Sequence, residues 1–247
     1  MSLLSKSDGR SKNIKEYILE GLMIFVAVCL GFFAEQFREE MLDRDDEEEY
    51  LISMIEDLET DIGQYPRIIK SYTNRNKVPT DSLPILLKNP KKDQPANDIY
   101  FHLRWLIRQS SFRSSINDRT ITQMRNAGKY QLIRNQTVSD SIVAYYKAID
   151  VAKGTEDFLF IDKNALRERL ANILDGEMYD KVINDKDQIV RSAEPLYLTS
   201  TNPKDLSDCV IRISNIRGLN RALIQNFHNL QNQAERLKQL IKREYGL

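Results

Sequence analysis

The sequence predicts an all-α protein: an N-terminal transmembrane helix continuing into an acidic stalk, then a helical-bundle or coiled-coil domain outside the membrane. Three observations carry this. Residues 21–34 hold no charged side chain. Apolar residues recur at spacings of four and three from Leu51 to Ile62 and again from Ile213 to Ile241, the period of helices packed along a seam. No segment sustains the apolar–polar alternation of a strand, and glycine accounts for nine of 247 residues.

The first element is the stretch "YILEGLMIFVAVCLGFFAEQF", residues 17–37, whose only charges are Glu20 and Glu35 near its ends. About 20 apolar residues cross a hydrocarbon core of about 30 Å, so the window suffices if the glutamates lie near the interfaces. A cleaved signal would want small residues at an Ala-x-Ala site, whereas Phe32 and Phe33 precede Ala34. A lipoprotein signal would want a small residue before its cysteine, and Val28 precedes Cys29. A soluble helix would show a polar face. An uncleaved single span over residues 16–37 is the expectation. Ala27, Gly31 and Ala34 form a small-residue stripe on nearly the same face as Glu20, which reads as an association face for another helix. The plainer alternative is that both glutamates simply reach the headgroups.

Lys6, Arg10, Lys12 and Lys15 precede the span, and "REEMLDRDDEEE" follows it. Positive residues stay inside, so residues 1–15 are expected in the cytoplasm and the body outside the membrane, which in a bacterium is the periplasm. Charge is uneven beyond that point. Residues 38–62 hold two basic and twelve acidic residues, and residues 63–247 hold thirty basic and twenty acidic. The acidic segment can pair with the basic body, or each can face a different partner.

No proline precedes Pro66 and no glycine follows the span before Gly63, so one helix is expected from about Lys15 to Ile62. Its residues 43–49 read as a solvated stalk, and Leu51, Ile55, Leu58 and Ile62 as a buried seam. Residues 63–97, with Pro66, Pro79, Pro84, Pro90 and Pro95, are expected to break into short segments. Within residues 63–247 a helix should bury Ile99, Leu103, Leu106 and Ile107. Another should run from about Asn117 to Ala127 and stop at Gly128. A long one is expected from Thr137 to about Leu174, with Gly154 as a weak point. The last helix carries Leu223, Phe227, Leu230, Ala234, Leu237 and Ile241, extended upstream by Ile213, Ile216 and Asn220. Its natural partner is the seam of residues 51–62.

The span with its leading glutamate, followed by "EEEYLISMIEDLETDI", resembles a widespread family of single-span bacterial membrane proteins typical of the Bacteroidota, a domain family of unknown function. "TITQMRNAGKYQLIRNQTVSDSIVAYY" is similar to its central motif: a helix, a glycine turn, an "LIRN" stretch and a helix ending in paired tyrosines. The resemblance covers most of the chain. It implies a one-span helical protein with no assigned activity.

The residue inventory offers little chemistry. His102 and His228 lie at no metal-ligand spacing, Cys29 falls inside the apolar run and so cannot pair with Cys209, and no glycine loop could cradle phosphates. The run from Asp43 to Glu49 lacks the glycine turn of a calcium loop and reads as a solvated face. No catalytic residue, cofactor or metal is expected. One patch stands out: Arg104, Arg108, Arg113, Arg119 and Arg125, interleaved with Trp105 and Phe112, could bind an anion. The competing reading is that these arginines pair with the acidic helix of residues 38–62. A periplasmic body argues against nucleic acid.

These features point to a non-enzymatic, membrane-anchored interaction or scaffold protein, in contact with membrane lipid and associating with itself or with a membrane-protein partner. The alternative from another class is a periplasmic ligand-sensing module that signals through a partner protein. A stable oligomer or a co-purifying membrane partner would favour the first, and a monomer with a bound small molecule the second.

Overall fold

The computed structural model describes residues 14–247, and Lys6, Arg10 and Lys12 lie outside them. The chain divides between Tyr50 and Leu51 into two units. All regular elements among the described residues are helical, with a single antiparallel bridge pairing Ile183 with Ile189.

The first unit is the opening part of α1, Ile14–Tyr72. Its apolar window is long and apolar enough to cross a membrane, and none of it is buried. Phe25, Leu30, Phe32 and Phe33 all stand exposed.

The second unit, Leu51–Leu247, begins with the rest of α1. Of the predicted seam Leu51, Ile55 and Leu58 are buried and Ile62 is half-buried, and Met54 is buried beside them. The expected break at Gly63 and Pro66 does not occur, because α1 runs on to Tyr72. Both residues are exposed, so water can hydrate the Ile62 carbonyl that Pro66 leaves without a donor. Tyr65, Ile68 and Tyr72 are buried around them and hold the helix in place. A π-helical turn, Thr73–Lys77, follows and turns Asn76 into the core. Helix α2, Val78–Leu86, then starts with Pro79 in its first turn, where a missing N–H does little harm. Inside α2, Pro84 would leave the Thr80 carbonyl bare, but Arg217 donates to it through Nε at 3.1 Å and through Nη2. Of the region expected to fragment, only residues 87–96 form a loop.

Helix α3, Asn97–Ile107, buries Ile99, Leu103, Leu106 and Ile107. Helix α4, Arg119–Asn126, ends at Gly128, whose φ of +66° is the left-handed conformation that glycine tolerates. Helix α5, Gln136–Leu170, is capped by the Asn135 side chain, which accepts from the Val138 N–H at 3.1 Å, and passes Gly154 without a break. After the short α6, Gly176–Asp180, an irregular stretch leads to α7, Pro203–Tyr245, capped by Asn202.

The core runs along α7, whose every predicted seam position is buried. It packs along α5. Helix α1 joins through the Tyr72–Phe227 ring contact and through Glu59, which meets Lys238 at 3.5 Å and Lys242 at 3.6 Å. Helix α5 meets α7 over a long seam because it carries its own four–three series, Val138 to Leu170.

Candidate functional site

The second unit buries several ionisable side chains, and each is held by named partners. Asp57, 1% exposed, accepts from the Asn117 side chain at 2.7 Å, the Arg119 guanidinium at 3.1 Å and the Thr120 N–H at 2.9 Å. It therefore caps the first turn of α4 from across the fold. One turn on, Asp61 accepts from the Asn117 N–H at 2.8 Å and the Tyr145 hydroxyl at 2.7 Å. Since that proton points to Asp61, Tyr65 must be the donor in the 2.8 Å Tyr65–Tyr145 contact. Burial pushes the Asp61 carboxyl up to about 6, opposed by the hydrogen bonds from Asn117 and Tyr145. Two segments distant in sequence thus meet in one clasp, with "EDLETDI" supplying both carboxylates and "AYY" the phenol.

Glu156, fully buried on α5, accepts from four donors: the Tyr72 hydroxyl, the Phe112 N–H at 3.0 Å, Ser111 Oγ at 2.8 Å and Arg113 Nε at 3.1 Å. It ties the loop after α3 to the end of α1. Two turns further along α5, Lys163 is 2% exposed, and among the described residues no carboxylate lies within ion-pair distance of it. Its ammonium donates to Asn76 Oδ1 at 2.7 Å and to the Arg108 carbonyl at 3.2 Å, and Asn76 donates in turn to Asn220 at 2.8 Å. The π-helical turn and the polar residue in the α7 seam so explain each other. Burial, then Arg75 and Arg167, bring Lys163 down to about 7.

These clasps divide the five candidate arginines. Arg119 pairs with Asp57 and with Glu56 at 3.5 Å, as the pairing alternative expects, and Arg113 pairs with Glu156 and Asp157. Arg125 is exposed on α4. Arg104 and Arg108 remain on a cleft of about 410 Å³ together with Arg167, which the sequence did not single out. Arg104 lies over the Tyr179 ring, 4.3 Å from its centroid. In the first unit, Glu20, Ala27, Gly31 and Ala34 are all exposed on α1, and a Cβ added to Gly31 would meet nothing.

Glu156 and Lys163 carried a signal in the sequence. They fall in the α5 seam, between Ala152 and Leu159 and between Leu159 and Leu166, where apolar residues otherwise stand. Asp57, Asp61 and Tyr65 likewise form a stripe at spacing four beside Met54 and Leu58. Among the described residues no group of His, Cys, Asp and Glu is placed to hold a metal ion. Comparison with protein-family models, curated proteins and solved structures finds no match for the chain, so its functional reading rests on its own residues.

Proposed function

We propose that this is a non-enzymatic, membrane-anchored interaction protein. One helix crosses the bacterial inner membrane, an acidic stalk follows, and a helical-bundle or coiled-coil body lies on the periplasmic side. The observation that carries the reading is the wholly uncovered apolar window of α1, which calls for lipid or another helix around it. The commitment of Asp57, Asp61 and Glu156 to clasps within the body supports a structural rather than a chemical use of those groups. Assembly, with itself or with a membrane complex, would run through the face of Glu20, Ala27, Gly31 and Ala34.

Reporter fusions after Leu247 test the topology. A periplasm-active enzyme should give signal and a cytoplasm-active one none, and the reverse pattern would sink the proposed orientation. Cross-linking in native membranes tests the assembly, and a protein recovered only as a monomer without partners would exclude it.

A further inference from the structure

Arg104 and Arg108 at the end of α3 and Arg167 on α5 converge on one cleft. Among the described residues none of the three has a carboxylate within ion-pair distance, unlike Arg113 and Arg119 nearby. The one acidic residue in that wall is Asp187. Arg75 adds to the imbalance: burial, then its neighbour Arg108, makes it easier to deprotonate. Like charges held close without a counter-charge are unfavourable, and an incoming anion relieves that repulsion.

Two of the guanidinium groups are fixed in advance. Arg104 is stacked on Tyr179, and Arg167 donates to Asn164 at 2.7 Å and to the Ile107 carbonyl at 2.9 Å. Little side-chain freedom is left to lose on binding. A second hollow, of about 450 Å³, shares Arg104, Ile107 and Arg167 with the first, and its far wall is Leu170, Leu174 and Tyr179. The Tyr179 hydroxyl is buried beside the Arg104 guanidinium. Asp175, in the same wall, already accepts from the Met178 N–H as the cap of α6. The paired hollows therefore offer a cationic end and an apolar end, each within the size range of small-ligand sites.

We propose that this cleft binds an organic phosphate monoester, its phosphate among Arg104, Arg108 and Arg167 and its apolar group against Leu170, Leu174 and Tyr179. A phosphate carries close to two charges and three acceptor oxygens, which suits three converging guanidinium groups better than a carboxylate with two oxygens. The inference goes beyond the anchoring reading and does not depend on it.

Phenyl phosphate is the probe, titrated calorimetrically into the full chain in zwitterionic lipid discs. One saturable site is expected. Arg108→Gln is the decisive variant, because among the described residues that exposed side chain makes no hydrogen bond or ion pair, and it should weaken binding about tenfold. Arg104→Gln should do the same, and Arg125→Gln should change nothing. Inorganic phosphate should bind about tenfold more weakly and benzyl alcohol not at all. No saturable binding, unchanged affinity in Arg108→Gln, or equal affinity for inorganic phosphate would each overturn the assignment. Discs containing phosphatidic acid identify the source. Displacement of phenyl phosphate there marks a lipid headgroup as the occupant, and unaltered binding marks a free ester. The reporter fusions leave all these results unmoved, so the two readings fail separately.

Discussion

Helix α1 uses the same residue types in two opposite ways. In the window of residues 17–37, phenylalanine, leucine and valine side chains face outward and nothing is buried. From Leu51 to Tyr72 one apolar face is buried, Leu51, Met54, Leu58, Tyr65, Ile68 and Tyr72 among it, and two carboxylates, Asp57 and Asp61, are buried with it. In an apolar surround a helix satisfies its own backbone and asks only for apolar side chains. In a water-soluble core, a carboxylate can go inside wherever enough donors meet it, and here five converge on two aspartates. The placement of charge in this helix follows the supply of donors rather than the local hydropathy.

The sharpest way to break that contrast is to put an aspartate into each region. Leu230→Asp places an unpaired charge at a 1% exposed position in the α7 seam and should remove about 5 kcal/mol, enough to unfold the body. Val26→Asp should leave the melting of the body alone and instead cost roughly 2.5–3.5 kcal/mol of membrane insertion. Thermal melting and an insertion assay read the two separately. Equal loss of melting in both variants would mean that residues 17–37 belong to a folded core.

Inside the body, two groups should respond to pH in opposite directions. Lys163 is brought down to about 7, so above that the unfolded chain binds the extra proton. Its penalty is full below pH 7 and fades as pH rises toward 10, a gain on the order of 3 kcal/mol. Asp61 is pushed up to about 6, so the folded state holds its proton longer. Its contribution is full below pH 4 and is lost as pH rises through 6, roughly 3 kcal/mol. Denaturant unfolding across pH 4–10 should show the alkaline gain vanish in Lys163→Met and the acid-side loss vanish in Asp61→Asn. A parent protein with a flat profile would show that neither group changes charge in these windows.

How much was legible follows the same physics. The seams of α3 and α7 and the stop at Gly128 depend on period and on one backbone conformation, and both are local properties. Pro66 and Pro84 misled because a proline's damage depends on what happens to one freed carbonyl, and that is settled by water or by Arg217, 133 residues beyond Pro84. The arginine patch was half legible. Its charges were visible, but which of them find a carboxylate is decided by α1 and α5, far away in sequence. Arg167 was overlooked for the same reason: only the fold brings it beside the end of α3.

Arg217 supplies the next measurement. Its guanidinium is the donor that lets Pro84 sit inside α2, so Arg217→Ala should leave the Thr80 carbonyl unsatisfied and remove about 1–2 kcal/mol. Restoring the N–H with Pro84→Ala in the same chain should recover part of the loss. A double variant no more stable than Arg217→Ala would show that the arginine acts elsewhere, for instance through Asp81, 3.6 Å from its Nε.

The smallest expected effect lies in the first unit, where the contrast makes its most delicate claim: an uncovered apolar helix still has a preferred side. Glu20, Ala27, Gly31 and Ala34 fall within about 60° of one another around a helix of 3.6 residues per turn. Lipid gives no reason to align small residues, whereas close helix approach does, because van der Waals contact then extends to the backbone. Gly31 has nothing within 4 Å of an added Cβ, so Gly31→Leu costs nothing within the chain and adds bulk only where a partner would sit. It should weaken cross-linking in membranes by several-fold while leaving insertion intact, an effect of about 1 kcal/mol. Glu20→Gln keeps the shape and hydrogen-bonding capacity and removes the charge, so its effect should be smaller, about 0.6 kcal/mol. If both variants assemble as the parent does, the glutamate serves only the interface and the window only the anchor. A loss with Gly31→Leu that is absent for Val28→Leu, on another side of the helix, would place the contact on this stripe.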